Sequence, residues 1–321
     1  AQAEIEASKQ IEAMSPGSDL SSQLKFGGGE SPSPKKQTIK EVEEAGDKVI
    51  TSYYGLTEES WLSLLGKLAT MATDSRQKVA NSSLQTLYSI LRENGDVFTH
   101  DFWQMIISGV IKLLFDEVQY QFQSKKLGNK DQSYEFLKQN CKQAYSKMID
   151  IYKTHYSKLK DFMPEFLNII VTPMQNPNES LARISIEAFR SFLTNVSPFF
   201  DESDWNRVIE VLGKVLSSTT PAMLIDAMNS EVLKNAYQQK KLVSLKWEFD
   251  ETVTKCVVQL MMITVMKDFI DEHFEKLQEE HINQMHAVLQ TSYTFARQFN
   301  DQIYIRYCLW RNGFMNNMDQ L

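Results

Sequence analysis

The chain reads VANSSLQTLYSILRENGDVFTHDFWQMIISGVIKLL at residues 79–114 and LARISIEAFRSFLTNVSPFFDESDWNRVIEVLGKVL at residues 181–216. In each stretch a helical pattern of apolar residues leads to a short polar turn. A Phe follows, then a Trp five residues later, and a second apolar-periodic stretch begins there. The pairs are Phe98/Trp103 and Phe200/Trp205, which lie 102 positions apart. Such repetition predicts a stack of similar helical units, and stacks of this kind usually bind partners rather than catalyse reactions.

The composition favours helices throughout. The 321 residues include only 12 Gly and 8 Pro, and Leu, Met, Gln, Glu and Lys, which form helices readily, are abundant. An amphipathic helical hairpin cannot bury its apolar face alone, so neighbouring hairpins must supply the core. We therefore predict an all-α fold, an armadillo/HEAT-like α-solenoid of stacked helical hairpins.

The chain divides into three regions by pattern. Residues 1–37 lack periodicity over most of their length and are expected to be a flexible, largely disordered linker. Residues 38–216 hold two related helical-repeat units with the period of 102 residues, and residues 217–321 hold a third unit, truncated at its C-terminus. Helices are predicted at about residues 38–54, 57–71, 74–94, 100–114, 134–155, 241–272, 273–300 and 302–310, with a lid or short helix at 224–237.

Local signals set some helix ends. Asp74 is predicted to cap the third helix with Gln77 as its capping-box partner, and Asn176-Pro177-Asn178 takes the place of the Asp74 turn in the second copy. The apolar stripe of the fourth helix is predicted to include the following residues: Trp103, Ile106, Ile107, Val110, Leu113 and Leu114.

Charge and cysteine usage narrow the function. A net charge of −7 argues against general nucleic-acid binding, which needs a cationic surface. The 3 cysteines show no CxxC spacing and indicate reduced thiols of a cytosolic protein. No segment reaches the ~18 consecutive apolar residues of a transmembrane span, and no signal peptide is present. The chain is expected to be a piece of a longer protein.

No motif for chemistry is present. His281 and His286 are five residues apart, which turns them away from each other on a helix, and neither HExxH nor GxSxG occurs. Gly27-Gly28-Gly29 lacks the Gly-Lys-Ser/Thr of a phosphate-binding loop. We predict no catalytic residue, no metal site and no cofactor.

Two sets of residues invite a binding interpretation. Trp103 and Trp205 could be exposed anchors, but their equivalent places at the start of an apolar stripe favour a role in packing. Lys240, Lys241 and Lys246 form a loose basic cluster beside Trp247. That cluster suits an anionic lipid or an acidic partner, although a solvated helix end is the simpler explanation.

Two signatures resemble one family. The first is Asp-x-Arg-x-x-Val, a Leu-rich helix, then Gly, Phe and a Trp-initiated helix; its residues here are Asp74, Arg76, Val79, Leu84, Leu87, Gly95, Phe98 and Trp103. The second is SYTFARQFN at residues 292–300, followed by Arg306, Leu309-Trp310 and Gly313-Phe314. Both are similar to the helical regions downstream of the catalytic domain in the large, brefeldin-A-inhibited (BIG) class of Arf guanine-nucleotide exchange factors.

The resemblance implies a non-catalytic regulatory segment, with the exchange activity elsewhere in the protein. It implies a cytoplasmic protein recruited peripherally to Golgi and trans-Golgi membranes, acting in vesicle-mediated transport. The expected partners are small GTPases of the Arf, Arl or Rab type, other domains of the same protein and the Golgi membrane. The alternative is a generic helical-repeat scaffold similar to the Mon-two-like proteins, with no exchange activity in the full protein.

The C-terminal signature supplies the candidate interaction residues, which are Arg297, Arg306, Trp310 and Phe314 together with the three lysines above. In one interpretation Trp310 and Phe314 belong to the core of the last hairpin and Arg306 is buried against a helix end. In the other, this edge docks the rest of the protein. The core interpretation is favoured for Trp310 and Phe314.

Overall fold

The computed structural model describes residues 52–53, 55–124, 132–239 and 249–314, which are almost entirely helical. Two short strands, β1 (Ser52–Tyr53) and β2 (Leu56–Thr57), pair antiparallel across a turn in which Gly55 has a φ of +80°. The α-helices that follow are α1 (Glu58–Met71), α2 (Gln77–Asn94), α3 (His100–Ile106), α4 (Lys112–Ser124), α5 (Gln132–Thr154), α6 (Tyr156–Leu159), α7 (Met163–Val171), α8 (Glu179–Val196), α9 (Glu202–Ser218), α10 (Ala222–Met228), α11 (Glu231–Gln238), α12 (Phe249–His273), α13 (Glu279–Asp301) and α14 (Ile303–Arg311). The fold is all-α, and its helices stack as in helical-repeat solenoids.

Most of the predicted helices agree with these bounds within a few residues. Helix α13 begins six residues later than the helix predicted at 273–300, and α4 continues ten residues beyond the predicted end at 114. The start of the helix predicted at 241–272 lies outside the described residues. Two other stretches differ more. Most of the helix predicted at 38–54 lies outside the described residues, and its last part is wrong because Ser52–Tyr53 form a strand. The ambiguous stretch at 224–237 folds as the two short helices α10 and α11.

The helices pack in two rows. In one row α2 packs against α5, α5 against α8, and α8 against α12. In the other row α7 packs against α9, and α9 against α13. Helix α1 packs mainly against α2 and against residues 100–111. Each helix thus buries its apolar stripe against the next helix of its row and against its hairpin partner, which is how a stack without a central sheet obtains its core.

The period of 102 residues is visible in the helix bounds. Helix α8 begins and ends 102 positions after α2. Equivalent residues face the core in both: Ala80 and Ala182 are fully buried, and Leu84 and Ile186 are as well. The two helices therefore occupy equivalent places in successive layers of the stack.

The predicted capping box at Asp74 does not form. Helix α2 begins after Arg76, and the Asp74 carboxylate accepts hydrogen bonds from the Arg76 backbone nitrogen at 2.8 Å and from its guanidinium at 2.8 and 3.0 Å. The position 102 residues later repeats the backbone part of this turn: Asn176 Oδ1 accepts from the Asn178 nitrogen at 2.9 Å. There Asn178 caps α8, because its amide oxygen accepts a hydrogen bond from the Leu181 nitrogen at 3.1 Å. Arg76, at the equivalent position before α2, cannot cap, because a guanidinium has only donors.

A π-helical turn at Ile107–Ile111 joins α3 to α4 and changes the register. Before this turn, buried residues match those of α9 at the 102-residue offset, as Trp103 does with Trp205. After the turn the offset falls to 101 residues: the buried residues Leu114 and Phe115 correspond to Val215 and Leu216, which are buried as well. A π turn holds one residue more than an α turn. The prediction that Leu113 belongs to the apolar stripe is wrong for this reason, and its side chain is 57% exposed.

The last helices form a second core of their own. Leu224, Ala227, Ile305, Leu309 and Phe314 are buried together, apart from the main core. Helix α14 packs against α11 and α13 to close this cluster. Within the described ranges no single helix is long and apolar enough to cross a membrane. Helices α9 and α10 together have the length and composition of a membrane span, but the chain bends by 46° between them.

Candidate interaction surfaces

The two repeated tryptophans lie in the core. Trp103 is fully buried and Trp205 almost so. Each meets its preceding phenylalanine edge to face, with ring centroids 5.6 Å apart for Phe98 and 5.2 Å apart for Phe200. Because both indoles are buried, these residues pack the helices against one another.

A histidine from the end of the next helix joins each tryptophan. His155, immediately after α5, lies 5.8 Å from Trp103 by ring centroids, and His273, the last residue of α12, lies 5.2 Å from Trp205. Burial lowers the pKa of His273 below its usual 6.5. No sequence signal indicated these histidines, because each lies more than fifty residues from its tryptophan.

The contact around His155 is tight. Its Nδ1 lies 3.0 Å from Asp96 Oδ1 and its Nε2 lies 3.1 Å from the Arg92 carbonyl oxygen. Trp103 Nε1 donates to the Gly95 carbonyl at 3.1 Å. A Cβ at Gly95 would lie 2.5 Å from His155 Nε2 and 2.7 Å from Trp103 Cζ2. The glycine of the first signature is therefore required by this close approach.

Asp74 and Arg76 form a solvent-exposed pair. The Arg76 side-chain hydrogen bonds lower the pKa of the Asp74 carboxyl to about 2. The pair fixes the turn before α2, and a lone exposed pair of this kind offers no pocket.

The C-terminal residues divide between core and surface. Phe314 is buried, as the core interpretation expects. Trp310 is 62% exposed, so its assignment to the core is wrong. Arg306 is exposed too and donates to the Asn300 carbonyl at 3.0 Å, so it is not buried against a helix end. Arg297 is exposed on α13. The predicted lysine cluster at 240, 241 and 246 lies outside the described residues.

An open groove runs beside these residues. It has a volume of about 680 Å³ and a mostly apolar lining drawn from α10, α12, α13 and the residues after α14. Phe295 and Phe299 stack along one wall with centroids 6.4 Å apart. Arg297 and Asp301 supply charge at the α13 side. The groove can take an apolar side chain or chain segment.

Two of the cysteines and one of the histidines predicted from sequence to be inert are held in packed surroundings. Burial raises the pKa of Cys141 to about 12 and that of Cys256 to about 11, which keeps both thiols protonated and unreactive. His281, in the first turn of α13, is buried against α9 with its Nε2 2.8 Å from Asn206 Oδ1. Over the part of the chain that the structure describes, no three His, Cys, Asp or Glu side chains converge as metal ligands.

These features define an all-α protein of the helical-repeat class. Residues 257–321 match the family model described as the BIG2 C-terminal domain. The chain is homologous over most of its length to C-terminal regions of BIG- and Sec7-type Arf exchange factors.

Three relatives illustrate the similarity. The chain is 21% identical over 291 residues to the ADP-ribosylation factor guanine nucleotide-exchange factor sec71 of Schizosaccharomyces pombe, which covers 83% of this chain. It is 21% identical over 266 residues to Brefeldin A-inhibited guanine nucleotide-exchange protein 3 of Arabidopsis thaliana, covering 77%. It is 25% identical over 158 residues to the exchange factor SEC7 of Saccharomyces cerevisiae, covering 49%. The matched part spans 16%, 15% and 8% of these relatives. No solved structure matches the chain.

Proposed function

We propose that this chain is a non-catalytic, regulatory and partner-binding segment of a large Arf GTPase exchange factor that acts at Golgi and trans-Golgi membranes in vesicle-mediated transport. One observation carries the proposal: similarity to such factors extends over 83% of this chain but spans only 16% of the relative. A segment of that size, built as a helical stack, is suited to binding rather than to exchange chemistry.

The proposed partners are GTPases of the Arf, Arl or Rab type, other domains of the same protein and the Golgi membrane surface. The segment would act on recruitment and activity through these contacts, in a protein that is cytoplasmic and peripherally bound to the membrane. A Mon-two-like scaffold remains the alternative, and a catalytic exchange module upstream of Ala1 in the complete sequence would decide against it.

The proposal is tested with the chain itself. Purified 321-residue chain is added to Arf loaded with a fluorescent nucleotide, and we expect the rate of nucleotide release to remain that of Arf alone. Acceleration of release would overturn the non-catalytic assignment. A binding screen against nucleotide-loaded Arf, Arl and Rab proteins should then give a nucleotide-dependent partner, and a screen with no such partner would refute the GTPase-binding part.

A further inference from the structure

The arginines at the C-terminal end differ from all others in the chain. The chain has eight arginines, and the first five each pair with a carboxylate: Arg76, Arg92, Arg183, Arg190 and Arg207. The remaining three are Arg297, Arg306 and Arg311, and none of them makes an ion pair with any described residue. All three are exposed. A cluster of unneutralised cations in a chain of net charge −7 requires a reason.

Two of these arginines flank an apolar stripe on α14. Ile303, Tyr307 and Trp310 are 66%, 48% and 62% exposed. With about 100° per residue, the three side chains point within roughly 60° of one another. Arg306 falls on one side of the stripe and Arg311 on the other. The Arg311 guanidinium lies 6.0 Å from the Tyr307 ring centroid, against the stripe.

The opposite face of α14 accounts for its folding. Ile305, Cys308 and Leu309 are buried in the second core. The stripe therefore adds nothing to that core, and it exposes three large apolar side chains to water over roughly 10 Å of helix. A helix that is apolar on both faces, with one of them uncovered, is built to contact something besides its own core.

We propose that the outer face of α14 docks on an anionic lipid bilayer. Trp and Tyr prefer the level of the lipid headgroups, where the ring is buried and its polar atom stays hydrated. Arginines on both sides of an apolar stripe keep their charges among anionic headgroups while their stems cover apolar surface. The charge of the face is complementary to such a membrane, because residues 290–314 carry three arginines and a single acid, Asp301.

The chain contains a matched surface without this charge pattern. On α4, Leu113 and Tyr120 are 57% and 64% exposed, seven residues apart as Ile303 and Trp310 are. Their exposed charged neighbours are Lys112 and the acids Asp116 and Glu117, so the face carries a net negative charge. An anionic bilayer would repel this face, so it serves as the control for apolar exposure alone.

The experiment is flotation of the 321-residue chain with vesicles of phosphatidylcholine alone or of phosphatidylcholine mixed with phosphatidylserine. We expect binding to the mixed vesicles only, weakened by salt. At about 1 kcal/mol per arginine near an anionic surface, Arg306→Gln/Arg311→Gln should bind about 30-fold more weakly. The affinity of Tyr307→Ser/Trp310→Ser for the mixed vesicles should fall by about tenfold or more. Leu113→Ser/Tyr120→Ser and Arg76→Gln/Arg92→Gln should bind like the original chain.

Circular dichroism of every variant shows whether the fold is retained, and only folded variants are compared. The proposal is overturned if the original chain ignores phosphatidylserine, if both α14 variants bind as well as it does, or if the α4 control loses as much. Loss of a protein partner by Tyr307→Ser/Trp310→Ser with unchanged vesicle binding would make the stripe a protein interface and also overturn it. The inference deepens the proposed membrane recruitment, but no GTPase is present in the assay. A failed GTPase screen and a failed flotation are therefore distinguishable.

Discussion

Replacing Gly95 by alanine should destabilise the protein, although local backbone arguments point the other way. Gly95 has φ −59° and ψ −25°, which alanine adopts without strain, so the lost unfolded-state entropy alone would stabilise by about 0.4–1 kcal/mol. The added Cβ would lie 2.5 Å from His155 Nε2 and 2.7 Å from Trp103 Cζ2. Both rings are buried, so the clash cannot be relieved by a move into solvent.

The magnitude follows from what must move. Overpacking of a filled core costs about 1–3 kcal/mol. Shifting the histidine weakens its contacts with Asp96 and the Arg92 carbonyl, at about 1 kcal/mol for each hydrogen bond. Adding these costs and subtracting the backbone gain leaves a net loss of about 2–4.5 kcal/mol.

The assay is urea unfolding followed by circular dichroism. Gly66→Ala is the matched control, since Gly66 lies within α1 and no atom would lie within 4 Å of its Cβ. That variant should be stabilised by up to about 1 kcal/mol. The double variant Gly95→Ala/His155→Ala should lose less unfolding free energy than the sum of the losses of the two single variants. The reason is that His155→Ala removes the ring that the new Cβ at position 95 would clash with. A Gly95→Ala variant as stable as the original chain would refute the reasoning.

Three further outcomes are expected from the same unfolding assay. Trp205→Ala should lose about 3–5 kcal/mol and Trp310→Ala should stay within about 0.5 kcal/mol; equal losses would contradict the placement of one indole in the core and the other in solvent. Asn178→Ala should lose about 2–3 kcal/mol, since its Oδ1 caps α8 and also accepts from Tyr134 Oη at 3.2 Å; an effect near zero would exclude the cap. The lowered pKa of His273 means that the unfolded chain takes up a proton more readily than the folded one, so stability should fall as pH drops below 6.5. The original chain should therefore lose its advantage in unfolding free energy over His273→Gln as the pH falls from about 7.5 to about 5.5. A difference between the two chains that does not change with pH would contradict the lowered pKa of His273.

Periodicity was sufficient to predict the class of fold and most helices. Residues such as Leu84 and Ile186 recur at helical spacing and are fully buried, because an amphipathic stripe must face a neighbour in a stack. The offset of 102 residues between α2 and α8 was likewise readable from sequence. These features depend on local spacing alone.

What sequence could not give depends on contacts between distant residues. Helix α14 has apolar residues on two faces, at Ile305 and Leu309 and at Ile303 and Trp310, and only packing decides which face is covered. This is why the prediction that Trp310 belongs to the core is wrong. The capping box at Asp74 failed for a different reason: the carboxylate accepts from the Arg76 backbone nitrogen in a turn that precedes the helix, and α2 begins only after Arg76. Asn176 makes the same turn before α8.

The π-helical turn at Ile107–Ile111 has a consequence for how the two units came to differ. One additional residue in a regular α-helix would rotate every later side chain by about 100° and turn the apolar side chains away from the core. The widened turn confines that change, so Leu114 and Phe115 still fill the interior. Leu113 faces solvent as a result, whereas Val215, 102 positions later, is buried. The two stretches thus have similar interiors and different outer surfaces, because the π-helical turn holds one residue more than the equivalent α-helical turn of α9.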